Sequence, residues 1–258
     1  KLTHSMKLDR PLLVQYLEWM KGLLTGNFGI SLSSQQDITP LVIDRAQVTL
    51  LLIGLAIALA LAGAIPMGIL LARFRLPVLN AATQLGIAVP SFLVGILLVA
   101  VFSVHLGWLP ANGWQLPREG LSHLVLPVIS LALVQGAMLT RYVRATLREE
   151  MDKDYIRTAR SLGESRTGAL IRHGLRNAAL PVLTVTGVQL STLVVGAVVI
   201  ENVFVIPGLG SLLLDAVSTR DLTTVQTLIM VFVTFTLTVN LLTDLAYRVI
   251  DPRLKEAR

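Results

Sequence analysis

The side chains able to do chemistry are few in this sequence, and their spacing matches no enzyme site. The four histidines are His4, His105, His123 and His173, and no His-Glu-x-x-His pattern that would hold zinc occurs. Ser91 and His105 are fourteen residues apart in the sequence. On one helix that separation is about 21 Å, so the two side chains cannot form a nucleophile–base pair. We therefore expect neither a protease nor a metal site.

Nucleotide and thiol chemistry are also missing from the sequence. The P-loop pattern Gly-x-x-x-x-Gly-Lys-Ser/Thr needs a Gly-Lys dipeptide, and the chain contains none. There is no cysteine, so neither a disulfide nor a reactive thiolate can form. We expect that the chain is not an enzyme and binds no cofactor of its own.

Ion-coupled transport would need ionisable groups inside a membrane-spanning helix. Asp244 is the one candidate, and it lies four residues before Arg248 near the end of the last apolar stretch. We favour an ion pair between these two side chains at the membrane surface. A channel or secondary carrier that works without ATP nevertheless stays open as an alternative class of function. A structural membrane scaffold is a further alternative.

The elements that carry these residues are long and apolar. The chain has 258 residues, of which 53% are hydrophobic and 15% charged, and its mean hydropathy is +0.70. Five stretches are long enough to cross the hydrocarbon core of about 30 Å, namely 46–72, 80–105 around Pro90, 124–140, 177–200 and 222–243. Lipid cannot satisfy free backbone groups, so the spans must be helices. The predicted fold is an all-α, polytopic membrane protein.

Basic residues are unevenly distributed between the two sides of the predicted bundle. If the spans alternate, fifteen Lys and Arg fall on the side of residues 152–181 and the C-terminus, and seven on the other. The positive-inside rule therefore predicts that segment 152–181 and the tail 251–258 are cytoplasmic. The net charge of +6 then reports topology, and we expect no nucleic-acid partner.

The transmembrane domain is expected to cover residues 45–250, which leaves residues 1–44 outside the cell. Between Pro11 and Leu24 an amphipathic helix is predicted, whose apolar face would pack on the membrane surface or on other helices. An external start needs an earlier membrane helix, and the chain opens with Lys1, so we expect a sixth span before it.

The basic segment 152–181 is predicted to contain a short helix from Asp154 to Leu162 across the cytoplasmic end of the bundle. Gly163 would end this helix, because glycine readily adopts positive φ. A partner that grips such a helix could tilt the two flanking spans together.

Within this segment the sequences DYIRTARSLG and RHGLRNAALPVLT resemble the cytoplasmic-loop signature of binding-protein-dependent ABC importer permeases. The sequences VIENVFVIPGLGSLLLDAV and NLLTDLAYRVIDPRLK extend the resemblance to the first permease subunit of the dipeptide, oligopeptide and nickel group. The resemblance implies a type I importer permease with six transmembrane helices, five of them in this chain, and a cytoplasmic coupling helix.

In such permeases the coupling helix docks on an ATPase subunit. The matching residues here are Asp154, Tyr155, Ile156, Arg157, Thr158, Ala159, Arg160, Ser161, Leu162 and Gly163. The general importer pattern Glu-Ala-Ala-x-x-x-Gly is matched only at Ala159 and Gly163, so the decisive contact residue is not identified by the resemblance.

Polar side chains within the spans are candidates either for the translocation pathway or for hydrogen bonds between helices. These residues are Gln135, Thr184, Gln189, Ser191, Thr192 and Asn240. After the fourth span the resemblance implies an external gate formed by Glu201, Asn202, Pro207, Gly208 and Gly210. The three residues Pro207, Gly208 and Gly210 are expected to turn the chain before a short helix from Leu212 to Val217, and a plain surface turn is the alternative.

The resemblance also implies the partners and the function. The partners are a second homologous permease subunit, two ATPase subunits that carry ATP and Mg, an extracytoplasmic solute-binding protein and membrane lipid. The implied function is ATP-driven import of short peptides across the inner membrane, with this chain forming half of the pathway. Nickel or a metal chelate, and a glutathione-like solute, are alternative cargoes.

Overall fold

The computed structural model of the protein describes residues 11–114 and 120–250, which are almost entirely helical. The helices are α1 (Leu12–Leu24), α2 (Thr39–Arg73), α3 (Pro77–Ala88), α4 (Ser91–Leu98), α5 (Gly120–Met151), α6 (Asp154–Ser161), α7 (Arg166–Val203), α8 (Leu209–Ser218) and α9 (Leu222–Ile250). A π-helical segment, Val99–His105, continues α4, and another, Leu170–Gly174, lies within α7. The all-α prediction is confirmed.

Among the described residues, four helices are long and apolar enough to cross a membrane, namely α2, α5, α7 and α9. A fifth span exists if α3 and α4 with its π-helical extension are counted together, but these two are bent by 104°. The single span predicted around Pro90 is therefore broken. Proline disfavours helical backbone at the residue before it, and Val89 has an extended ψ of 123°.

Hydrogen bonds between distant residues define two ends of the helical bundle. At one end, which we call the α6 end, Arg73 at the end of α2 donates to Thr167 at the start of α7 over 3.0 Å. At the other end, the α8 end, the backbone N–H of Leu209 donates over 2.8 Å to Thr49, which lies in the first third of α2. Helix α7 therefore runs from the α6 end to the α8 end.

The core of the bundle is formed where α2 packs along α5. Ala56, Ala60 and Ala64 are buried at one-turn spacing on α2, and small residues on one helix face allow close approach of a neighbour. Leu131 and Leu139 of α5 are buried in this region. Helix α7 completes the same apolar cluster.

Two predictions about exposed side chains have different outcomes. Helix α1 forms as predicted, but Leu13 and Leu17 on its apolar face are 70% and 57% exposed, which suits a helix on a membrane surface. The prediction of an ion pair between Asp244 and Arg248 is wrong. The ion pairs among the described residues all lie between residues 149 and 173. Both side chains are exposed, and a surface pair gains only about 0–1 kcal/mol, too little to hold them together.

Gly68 is a point of close approach between α2 and α5. A Cβ at this position would overlap the Val143 side chain and lie 3.3 Å from the backbone nitrogen of Arg144. We expect Gly68→Ala to destabilise the protein by about 1–3 kcal/mol, because β-branched valine has little rotamer freedom in a helix. Thermal unfolding of the protein in detergent measures this loss.

The matched control is Gly54→Ala in the same helix, where a Cβ would meet no atom within 4 Å. Alanine favours helix over glycine, so this variant should be neutral or slightly more stable. Equal unfolding temperatures for the two variants would contradict the packing.

Candidate functional site

Helix α6 is attached to the bundle by one side and is free on the other. Ile156 is only 1% exposed, and Tyr155 and Ala159 are half-buried. The remaining predicted coupling residues are exposed: Asp154, Arg157, Thr158, Arg160, Ser161, Leu162 and Gly163. The ten residues singled out from the sequence therefore divide into an anchoring side and an exposed side.

Tyr155 connects α6 with both neighbouring long helices. Its hydroxyl donates to Glu150 in α5 and forms a hydrogen bond with Asn177 in α7. Burial raises the pKa of the Tyr155 hydroxyl, and the hydrogen bond to Glu150 adds to this effect, which outweighs the opposing influence of Asn177. The hydroxyl therefore stays neutral and keeps its proton for Glu150.

The C-terminus of α6 is closed by a Schellman motif. Gly163 has a φ of +96°, and its N–H donates to the carbonyl of Arg160 over 3.1 Å. The N–H of Glu164 donates to the carbonyl of Ala159, also over 3.1 Å. The predicted end of the helix at Gly163 is confirmed, since the left-handed conformation favours glycine.

The loop after α6 is held to α7 by a residue that sequence reasoning missed. Glu164 forms an ion pair with Arg172 of α7 at a nitrogen–oxygen distance of 3.3 Å, and the Nε2 atom of His173 lies 3.3 Å from its other carboxyl oxygen. The sequence gave no signal for these contacts except that several basic residues surround Glu164 in this segment. Tyr155 and Glu164 therefore both connect the α6 segment to α7.

Some of the predicted pathway residues make contacts between helices. Gln189 of α7 is 7% exposed and donates to the sulfur of Met138 in α5. Ser191 of α7 donates to Asn240 of α9 over 3.5 Å. The first contact satisfies a buried polar group across a helix interface, as burial in a membrane requires. The second joins α7 to α9 at a partly exposed position.

Other pathway candidates lie on an uncovered face of α7. Thr184 and Thr192 are exposed there, and Val188 and Val195 on the same face are 56% and 70% exposed. Gln135 in α5 is half-buried, and its Oε1 has no hydrogen-bond partner among the described residues. We call the face formed by residues 184, 188, 192 and 195 the open face of α7.

Glu201, predicted as a gate residue, is fully buried and organises the α8 end. Its Oε1 accepts a hydrogen bond from Thr49 over 2.6 Å. Its Oε2 accepts from the backbone N–H groups of Gly210 and Ser211, over 2.7 and 3.1 Å. The Thr49 hydroxyl in turn accepts from Leu209. The carboxyl group thus satisfies the free N–H groups at the start of α8.

The glycines next to Glu201 are explained by this contact. A Cβ on Gly208 would overlap the carboxyl group, and a Cβ on Gly210 would overlap the backbone of Val198. Gly210 lies in the first turn of α8, not in the preceding turn as predicted, because the Glu201 side chain caps that turn and α8 starts three residues early. Of the other gate candidates, Asn202 is exposed and Pro207 half-buried.

A second buried acid, missed by the sequence reasoning, joins α9 to the loop after α1. Asp221 is 4% exposed and accepts hydrogen bonds from the hydroxyl of Ser31 and, over 3.0 Å, from the N–H of Leu32. Thr224 also donates to it, over 2.8 Å. An Asp directly before an apolar helical stretch is a known cap signal, but no local pattern predicts the contact with Ser31.

The comparisons with known proteins agree with this architecture. Residues 64–256 match the family described as binding-protein-dependent transport system inner membrane component. The match covers most of the chain, so the chain belongs to this family. It is a multi-pass membrane protein and a permease component of an importer, whose ATP hydrolysis resides on a separate subunit. The resemblance inferred from the sequence is confirmed.

Relatives and solved structures are similar over most of the chain. A peptide permease protein of Brucella suis is 40% identical, covering 98% of this chain and 83% of the relative. The oligopeptide transport system permease protein AppB of Bacillus subtilis is 35% identical, covering 96% and 82%. The inward-facing methionine ABC transporter MetNI matches with a TM-score of 0.71 at 16% identity, covering 83% of this chain and 98% of that one. This likeness confirms the importer-permease fold.

The contact between Thr49 and Glu201 can be tested by removing one hydroxyl. We expect Thr49→Val to lower the free energy of unfolding by about 1–3 kcal/mol, because a buried acceptor and the Leu209 N–H both lose a partner. The control is Thr184→Val, since among the described residues the exposed Thr184 hydroxyl donates to the carbonyl of Leu180 in its own helix. Chemical unfolding in detergent measures both variants, and equal losses would contradict the role given to Thr49.

The contacts of Asp221 predict a pH dependence. Burial, the largest single effect, would raise the pKa of its carboxyl, but hydrogen bonds from Ser31, Leu32 and Thr224 together hold it below the ordinary value of 3.8. A carboxyl whose pKa is lower in the folded than in the unfolded chain stabilises the fold. This stabilisation is fully present above the ordinary pKa of 3.8, and it is lost as the pH falls through the lowered pKa of the folded chain.

We therefore expect the difference in unfolding temperature between the natural chain and Asp221→Asn to shrink as the pH falls from 6 to below 4. Asparagine keeps the size of the side chain but cannot ionise. Unfolding temperatures measured across this range test the prediction, and a difference that stays constant with pH would overturn it.

Proposed function

We propose that this chain forms half of the translocation pathway of an ATP-driven importer of short peptides. The observation that carries the proposal is α6, a short helix anchored between two membrane-spanning helices and polar on its exposed side. The names of the relatives, which are peptide and oligopeptide permeases, support a peptide cargo.

The surface proposed to dock an ATPase subunit consists of Arg157, Thr158, Arg160, Ser161 and Leu162, and we call it the docking surface. Leu162 is 81% exposed, so a partner that covers it would bury apolar area. Arg160 carries a positive charge at the helix C-terminus and would meet an acidic group of the partner. Ile156 is buried within this chain and would act as an anchor rather than as a contact.

Movement of α6 would reach the far end of the bundle through α5 and α7. Tyr155 contacts Glu150 and Asn177, which lie in these two helices. Helix α7 spans 38 residues, about 57 Å at the rise of an α-helix, and ends next to Glu201. ATP and Mg bound by two ATPase subunits would favour one arrangement of these helices, as alternating access requires.

The remaining surfaces are assigned by orientation and exposure. The α6 end and the C-terminus would lie in the cytoplasm, because the basic residues concentrate there. The α8 end would meet the solute-binding protein outside. The open face of α7, with Thr184 and Thr192, would face a second homologous permease subunit, and Gln135 would offer its free carbonyl oxygen to the pathway.

Reversing the character of the docking surface tests this proposal. We expect the double variant Arg160→Glu and Leu162→Asp to lower the amount of co-purified ATPase subunit by at least about tenfold, since losing about 1.4 kcal/mol of binding has that effect. Uptake of a labelled tripeptide into whole cells should fall in parallel, while the amount of permease in the membrane stays unchanged.

The control for this experiment is Arg248→Glu, which reverses an exposed charge at the same end of the bundle on α9. It should retain the ATPase subunit and peptide uptake. Normal ATPase association by the double variant would refute the docking surface. Uptake of a nickel chelate or glutathione in place of the tripeptide would refute only the cargo.

A further inference from the structure

A large apolar cavity lies between α2, α3, α4 and α5. Its volume is about 750 Å³, and its lining is apolar apart from Thr83 and Thr140. Both hydroxyls are already used within their own helices: Thr83 donates to the carbonyl of Asn80 over 2.8 Å, and Thr140 to that of Gly136 over 2.6 Å. A polar solute would therefore find no free donor here and would lose its hydrogen bonds to water. Hydrocarbon suits such a cavity.

Positive charge adjoins the cavity on the side of the α6 end. Arg144 lies one helical turn beyond Thr140 and donates to the side chain of Asn80, which follows directly on the lining residue Leu79. One turn further, Arg148 contacts the carbonyl of Leu71 over 3.4 Å. The two arginines therefore lie at the edge of the cavity that is nearer the α6 end, between α2, α3 and α5.

These two arginines have no acidic partner in the part of the chain that the structure describes. Neither residue takes part in an ion pair there. The acids that follow them on α5 are used elsewhere, because Glu149 pairs with Lys153 and Glu150 accepts from Tyr155. The buried Nε of Arg144 has no hydrogen-bond partner among the described residues.

From this combination we infer a binding site for one anionic phospholipid of the surrounding membrane. An acyl chain occupies the cavity, and the phosphate accepts hydrogen bonds from Arg144 and Arg148. The guanidinium group is well suited to phosphate oxygens, and the charges are complementary. The lipid would fill the space beside the break between α3 and α4 and hold α3 against α5. The site is separate from the open face of α7 and from the docking surface.

Photo-labelling of the assembled transporter tests the site. The complex is reconstituted in nanodiscs with either phosphatidylglycerol or phosphatidylcholine that carries a diazirine in the acyl chain. We expect phosphatidylglycerol to label residues 79–89 and 129–140 about fivefold more strongly than phosphatidylcholine, the effect of about one favourable lipid–arginine contact. The double variant Arg144→Gln and Arg148→Gln should reduce this preference to near unity.

The matched control is Arg141→Gln, which removes an exposed arginine from the same helix. This variant should keep the preference for phosphatidylglycerol. Equal labelling by the two lipids in the natural complex would overturn the inference, and this comparison needs no variant to fold. Absence of any labelling in these residues would mean that a protein segment covers the cavity, which would overturn it as well.

Discussion

A short helix on the surface of a membrane protein can transmit force only if its own contacts keep it fixed to the helices below. In this protein that constraint is met by two neighbouring side chains of α6. Ile156 is 1% exposed, and Tyr155 contacts Glu150 in α5 and Asn177 in α7. The Schellman motif at Gly163 then turns the chain directly into α7. The exposed side of α6 is therefore presented by a firmly held helix.

The opposite end of α7 is fixed by a different kind of contact. A carboxyl group buried away from water must have its hydrogen bonds satisfied, and Glu201 obtains them from Thr49 and from the first turn of α8. The first turn of α8 must come close to α7 to make these hydrogen bonds. Glycine therefore occupies position 210, where any side chain would overlap the backbone of Val198. These contacts join α2, α7 and α8 at one point, and α7 connects that point to the α6 end.

The sequence predicted those features that depend on local signals. The length of the apolar stretches indicated the spans, and Gly163 marked the end of α6 because glycine tolerates positive φ. The missed features depend on residues far apart in the chain, such as Asp221 with Ser31 and Glu201 with Thr49. Polar residues in a span are ambiguous for the same reason: only the fold separates Gln189, which contacts α5, from Thr192, which lies on the open face of α7.

The central claim is that the exposed side of α6 is covered by an ATPase subunit in the assembled transporter. The most direct measurement places a photo-crosslinking amino acid at Leu162 and, separately, at Leu214 on α8, which is 40% exposed. After irradiation of intact membranes, Leu162 should yield an adduct with the ATPase subunit, and Leu214 should yield none. An ATPase adduct from Leu214, or its absence from Leu162, would contradict the account.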